Sequence, residues 1–318
     1  GRRCSGRLDL SRAEIPAHYH LADKFALFDQ WHCALLGPTW PNRFYTHCAT
    51  SSGMFQNNNT IKEPTLYPLL AEQGLTYGMY NASLVHFFML IESLTPEQWN
   101  AQPIDAFFTD CKAGKLPNVT VIEPDVGSAD DHPPHDIRNG QAIISSIYEA
   151  LRQSPNWDRT LFLVYYDEHG GFYDHVAPPK AGFDERAAEG FDQLGFRIPG
   201  LAAGGLVKRG EVIHDLVEHA SLPSLISRVF GLPQINKRAE LSGDLGACLS
   251  LDLRKDSLRP APEAMPLIEL FDDEIEMAAM RGMAQPELLD LALRRGYVTQ
   301  NYAAENTKMR RALWDCYE

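Results

Sequence analysis

Carboxylates and imidazoles gather where an apolar run stops, in Thr160-Leu-Phe-Leu-Val-Tyr-Tyr-Asp167-Glu168-His169-Gly-Gly-Phe-Tyr-Asp174-His175-Val. Adjacent acids delivered to the end of a buried strand need a compensating cation. No Lys or Arg follows before Lys180, so the pair points to a divalent metal ion, for which Asp167 and Glu168 supply hard oxygen ligands. Successive side chains on an ideal strand point to opposite faces, but both acids can reach one ion where the chain turns, and Gly170-Gly171 permit such a turn. A solvated loop accommodates the same residues, and the pair alone leaves both readings open.

His132 stands before Pro133-Pro134, a rigid segment that places its ring reproducibly. With an ordinary pKa of about 6.5, an imidazole so held suits protonation of a leaving group or a hydrogen bond to a transferring oxyanion, although a loop histidine can equally be structural. His135, His169 and His175 are lesser candidates of the same kind, and His175 could equally be a core imidazole tied to Asp174. Gly37-Pro38-Thr39-Trp40-Pro41-Asn42-Arg43 follows an expected strand and precedes an expected helix. A hydroxyl presented there gains from the helix dipole, which favours its alkoxide and a bound anion. Thr39 is also a good helix N-cap; a nearby cation would favour the nucleophile reading, because it activates the hydroxyl.

The elements that must position these groups follow from periodicity. Ser11-Arg-Ala-Glu14 has capping-box spacing ahead of an expected helix, and a strand is expected around 26–34. Residues 64–73 read as a helix ended by Gly74, with a short strand at 75–80. Residues 118–124 read as a strand, 136–154 as an amphipathic helix stopped by Pro155, and 160–166 as a strand buried on both faces. Strand, helix, strand at this spacing predicts a βαβ unit with parallel strands, whose ends would bring the Asp131-His132 loop and the Asp167-Glu168 pair to one sheet edge, where open α/β folds bind ligands. Helical periodicity returns at 221–230. The chain beyond Pro262 reads as a helical extension (267–283, 286–295), dividing the protein into an α/β domain over 1–260 and a C-terminal segment over 261–318.

At 318 residues and 44% hydrophobic composition the chain can bury a full core. A formal net charge of −13 argues against a nucleic-acid partner, which needs a basic stripe. No run reaches the roughly 20 apolar residues of a membrane span, and the first residues lack the apolar centre of a signal peptide. Six cysteines (Cys4, Cys33, Cys48, Cys111, Cys248, Cys316) show no CxxC spacing, so neither a zinc knuckle nor a dense disulfide framework is indicated, and one or two bridges remain open.

Taken in order, Ile15-Pro-Ala-His-Tyr-His-Leu-Ala-Asp-Lys-Phe25, His32-Cys33, Gly-Pro-Thr39-Trp-Pro-Asn42-Arg43, Lys115-Leu-Pro-Asn118, Asp131-His132-Pro133, Tyr166-Asp167-Glu168-His-Gly-Gly-Phe-Tyr-Asp174-His175-Val and Gly195-Phe-Arg197-Ile-Pro199 resemble the phosphoesterase family. That family contains bacterial phosphatidylcholine-hydrolysing phospholipases C, plant non-specific phospholipases C and a related acid phosphatase. The resemblance implies an alkaline-phosphatase-like α/β/α sandwich with a mostly parallel sheet. It implies Thr39 as the nucleophile that forms a phospho-enzyme, Asp167, Glu168 and Thr39 as metal ligands, and His132 as the leaving-group or transition-state histidine, with His175 a weaker counterpart. The implied substrate is a phospholipid or another phosphate ester, with hydrolysis of soluble phosphomonoesters and ligand binding without turnover as alternatives. The apolar C-terminal helices are an expected peripheral membrane contact, and a secreted or periplasmic location is implied. An aromatic cage for a choline headgroup could draw on Trp31, Trp40, Tyr45, Tyr166 and Tyr173.

The family opens with a Glu-Asn-Arg-Ser-Phe-Asp-like motif on its first strand, where Glu and Asn complete the metal site. Nothing before Thr39 matches it, and Glu305-Asn306 has no strand before it. The expectation is that two metal ligands and a central strand are missing from this sequence, and that turnover by the 318-residue chain is weak or absent.

Overall fold

The computed structural model describes residues 10–124, 129–250, 263–266, 268, 286–299 and 301–315. In chain order its named elements are α1 (Pro16–Lys24), β1 (Ala26–Phe28), β2 (Trp31–His32), α2 (Thr39–Cys48), α3 (Tyr67–Glu72), β3 (Tyr77–Asn81), α4 (Pro96–Trp99), β4 (Ala101–Pro103), α5 (Ile104–Ala113), β5 (Val119–Glu123), α6 (Ile137–Gln153), β6 (Phe162–Tyr165), β7 (Gly200–Ala203), β8 (Glu211–Ile213), β9 (Val217–Glu218), α7 (Ser221–Phe230), α8 (Lys237–Leu241), α9 (Pro286–Arg294) and α10 (Tyr302–Asp315). The Ser11–Glu14 segment forms a turn in which the Glu14 carboxylate accepts the Ser11 N–H at 2.6 Å, and the helix begins only at Pro16. The single strand expected at 26–34 is two short ones, in different sheets.

The strands form a parallel sheet in the order β4-β3-β5, a mixed sheet in the order β6-β7-β1-β8 and the parallel pair β2-β9. Parallel pairing predominates among the described residues, in four of six strand pairs. Side-chain alternation along β3 and β5 shows the layering. Tyr77 and Met79, with Val119 and Val121, pack with Trp40, Phe44 and Cys48 of α2. Tyr80 and Ile122 pack on the other face with residues of α1, α5 and α6. Helices therefore cover both faces of this sheet, as an α/β/α arrangement requires.

The β5-α6-β6 connection departs from the expected unit. Among the described residues β5 pairs only with β3 and β6 only with β7, antiparallel, so the two are edge strands of separate sheets. All four residues of β6 are half-buried rather than enclosed on both faces, because an edge strand has a neighbour on one side only. α6 itself matches its amphipathic reading: Asp136 caps it through the Arg138 N–H, and Ile143, Ile147 and Leu151 enter the core.

At the C-terminus the helix expected over 267–283 lies outside the described residues, apart from Ile268. α9 turns Leu288 and Ala292 into the core beside Trp99, and the Asn306 carboxamide of α10 accepts from Ser83 Oγ and the Leu84 N–H. Leu288 and Ala292 thus face protein, and Asn306 is committed to a loop contact. Among the described residues no helix is long and apolar enough to cross a membrane. Cys33, Cys48, Cys111 and Cys248 are buried free thiols.

Candidate active site

The chain turns sharply after β6. The Phe172 N–H reaches the His169 carbonyl at 3.1 Å, and Gly170 and Gly171 take φ of 65° and 77°, in the left-handed region that favours glycine. Asp167 Oδ1 accepts the Glu168 N–H at 3.0 Å, and Glu168 Oε2 accepts the Gly170 N–H at 2.7 Å. The other oxygen of each carboxylate has no hydrogen bond among the described residues. Burial first, and then the neighbouring Asp167 charge, raise the Glu168 pKa above the usual carboxylate range, while His169 and His132 act the other way. His132 therefore stands near enough to Glu168 to feel its charge.

A residue outside the sequence reading braces this turn. The Nε2 of buried His219 lies 2.6 Å from the Asp167 carbonyl oxygen. A carbonyl can only accept, so Nε2 carries the proton and Nδ1, buried and without a hydrogen-bond partner, keeps its lone pair. Burial lowers the His219 pKa. The only local signal was Glu218-His219 just ahead of the helical run at Ser221.

Thr39 is the first residue of α2, and the N-cap position falls on Pro38. The cap acceptor comes from elsewhere: Asn57 Oδ1 accepts the Trp40 N–H at 2.8 Å. Asn42 braces the preceding turn, with Oδ1 accepting the Leu35 N–H at 3.0 Å and Nδ2 donating to the Gly37 and Pro38 carbonyls at 2.9 and 3.2 Å. The Thr39 side chain is buried, yet no described residue hydrogen-bonds its hydroxyl. The N-cap role that the sequence left open is not the one Thr39 plays.

Arg43, one turn along α2, supplies the cation that a local reading around the acid pair could not see. Its guanidinium lies 2.8 Å from the buried Glu123 carboxylate at the end of β5. Burial opposes its charge, but Glu123 first and then Asp167 and Tyr165 outweigh that and raise its pKa. The ends of β5 and β6 thus converge on Arg43, although the strands do not pair.

The expected histidines separate. The exposed His132 holds its Nδ1 2.8 Å from the Pro133 carbonyl, so Nδ1 carries the proton and Nε2 is free to accept. Asp130 accepts the His132 N–H at 2.9 Å and faces His135 Nδ1 at 2.5 Å. His169 packs edge-on to Phe196. His175 is exposed, with Nδ1 3.4 Å from Asp174, which Arg197 grips through Nε at 2.7 Å and Nη2 at 3.0 Å. The aromatic cage does not assemble. Trp31, Trp40 and Tyr45 are core residues, and Tyr166 turns its hydroxyl inward to Asp131, leaving only Tyr173 exposed.

Asp167 and Glu168, each with an uncommitted oxygen at the same turn, fit a divalent cation as two of its ligands. Among the described residues no group of three or more His, Cys, Asp or Glu is placed to hold a metal ion.

The phosphoesterase family profile matches residues 8–233. The chain is 37% identical over 267 residues to non-specific phospholipase C3 of Arabidopsis thaliana, covering 74% of this chain and 51% of that protein. It is 28% identical over 303 residues to phospholipase C A of Mycobacterium tuberculosis, covering 79% and 58%. A solved structure of an alkaline phosphatase superfamily protein from Vibrio parahaemolyticus aligns with a TM-score of 0.43 at 15% identity, covering 71% of this chain and 64% of that one. The chain spans about half the length of the curated relatives it matches.

Proposed function

We propose, from the premise that this chain belongs to the phosphoesterase family, that its site serves a metal-dependent phosphoric ester hydrolase of phospholipase C type. The observation that carries the reading is Thr39, a buried residue at the start of α2 whose hydroxyl bonds to no described residue, while Asn57 accepts the Trp40 N–H of the same helix end. A helix N-terminus favours the anionic form of a nucleophile and the phosphate it attacks. Thr39 Oγ attacks phosphorus and gives up its proton to solvent, the P–O bond to the leaving alcohol breaks, and water later releases the remaining phosphomonoester and restores the threonine hydroxyl. His132, with Nδ1 engaged by Pro133, has Nε2 at which to carry the proton given to the departing oxygen. Asp167 and Glu168 would hold a divalent cation, which neutralises phosphate charge and lowers the hydroxyl pKa when bound. Arg43 adds fixed positive charge close to Asp167.

Two carboxylates make a weak cation site, so low turnover by this chain is expected. The substrate is proposed to be a phospholipid or a related diester. The test compares phosphatidylcholine, an aryl phosphodiester and an aryl phosphomonoester, with and without added divalent metal. Metal-dependent diester cleavage supports the reading, and preference for the monoester would replace it with a phosphatase. Unchanged hydrolysis by Thr39→Ala would remove Thr39 from the mechanism.

A further inference from the structure

A line of hydrogen bonds with one possible direction runs behind the site. Gln141 Oε1 accepts the Ala17 N–H at 3.1 Å and the His18 N–H at 3.4 Å, at the start of α1. Backbone N–H groups cannot donate to an amide nitrogen, so the Gln141 carboxamide has a single orientation. Its Nε2 therefore donates to His18 Nδ1, 2.6 Å away. With Nδ1 accepting, the neutral His18 ring carries its proton on Nε2 and donates to the Tyr166 hydroxyl at 3.1 Å. Burial disfavours the charged form of this histidine, in keeping with that tautomer. Tyr166 in turn donates to Asp131 Oδ2. The series ends on a residue that has to accept.

Both ends of the last bond adjoin the proposed chemistry. Tyr166 immediately precedes Asp167 and Glu168, and Asp131 immediately precedes His132. The two are 35 residues apart in sequence and lie in segments that share no sheet. A second constraint holds the acid: a Cβ at Gly140 would lie 2.1 Å from Asp131 Oδ1, so the carboxylate packs directly on the α6 backbone. The loop carrying His132 is thereby seated against both the helix and the strand end.

We propose that Asp131 and Tyr166 are positioning residues that set His132 at its working distance from the Asp167–Glu168 pair. Neither touches substrate; they act through the neighbours they hold. For catalysis the inference rests on the proposed function of the site, but the link between loop and strand end stands apart from it.

The test uses Tyr166→Phe, Asp131→Ala and Asp131→Asn in the full chain, with two readouts. The first is the His132 ring resonance in protein labelled with carbon-13 histidine, which needs no turnover. The second is kcat and KM on an aryl phosphodiester. Tyr166→Phe and Asp131→Ala are expected to move the resonance and lower kcat by about tenfold or more with KM within about twofold, since small misplacements of a catalytic group are costly. Asp131→Asn keeps an oxygen for the Tyr166 hydroxyl and is expected to recover kcat to within about threefold of the original protein. Equal losses in Asp131→Asn and Asp131→Ala would overturn the proposal by showing that the charge itself acts. An unmoved His132 resonance in Tyr166→Phe would overturn it as well. If the protein cleaves none of these esters, the functional reading fails and the resonance alone decides the link.

Discussion

Asn57 caps the helix that begins at Thr39, accepting the N–H of Trp40, 17 residues before it, at 2.8 Å. The acceptor normally supplied by a Ser or Thr at the helix start comes from a distant loop, and the Thr39 hydroxyl is spared. Stability and activity should therefore separate between these residues. Thr39→Ala is expected to cost no more than about 0.8 kcal/mol, the value of one buried methyl group with no cap to lose, while turnover falls by about a thousandfold or more on loss of a nucleophile. Asn57→Ala is expected to cost about 1 kcal/mol. Urea unfolding alongside ester hydrolysis checks both, and a destabilised Thr39→Ala would return Thr39 to a structural role.

The Arg43–Glu123 pair is the second point of leverage. Glu123 is buried, accepts the Phe87 N–H at 3.2 and 3.1 Å through its two oxygens, and has Arg43 as its cation. Arg43→Met should cost about 3–5 kcal/mol, because it strands a buried charge, whereas replacing both partners with apolar residues is expected to cost less. A double-mutant cycle by chemical denaturation measures this; a double variant no better than Arg43→Met would contradict it.

Cation affinity should depend on pH through Glu168. Its pKa is raised by burial and by Asp167, and a carboxylate must lose its proton to bind a metal ion. Affinity for Mg²⁺, Ca²⁺ or Zn²⁺ is expected to rise with pH through and above the ordinary glutamate range. Glu168→Gln should weaken binding and flatten that rise. Titration calorimetry at stepped pH reads both, and pH-independent binding in the original protein would count against Glu168 as a ligand.

Asp131 should leave a signature in stability. Its pKa is pushed from 3.8 to about 6, chiefly by burial. The folded state then holds this proton more tightly than the unfolded one, so the contribution favours folding at low pH and is lost as pH rises from 3.8 to about 6. The loss is on the order of 3 kcal/mol for a shift of this size. Glu92 and Asp174, both held near a pKa of about 2 by their hydrogen bonds to Thr60 and Arg197, act in the opposite sense as pH falls. The difference between the original protein and Asp131→Asn isolates the Asp131 effect. A difference that does not change across this window would show that Asp131 titrates normally.

The candidate groups were legible because they lie in contiguous residues. The apolar run ending in Asp167-Glu168, the glycines after it, Thr39 behind Gly-Pro and His132 before two prolines are local patterns whose backbone consequences follow from residue type. The helix at α6 was legible for the same reason, since Asp136 and the spacing of Ile143, Ile147 and Leu151 carry its cap and its buried face.

Tertiary structure decided the partnerships. Residues near Asp167 in the chain include no Lys or Arg, yet Arg43 arrives on α2 and His219 from beside α7, because packing brings together side chains that sequence separates. Whether Thr39 caps its helix depended on Asn57, and whether Asp131 joins its loop to the acid pair depended on the Tyr166 hydroxyl. Pairing between β5 and β6 also depended on long-range geometry, and there the expected unit gave way to two separate sheet edges. By itself the sequence determined which groups could do chemistry and on which kind of element each would sit. Only the fold decided which groups face one another, because hydrogen bonds and charge act over a few ångströms of space irrespective of position along the chain.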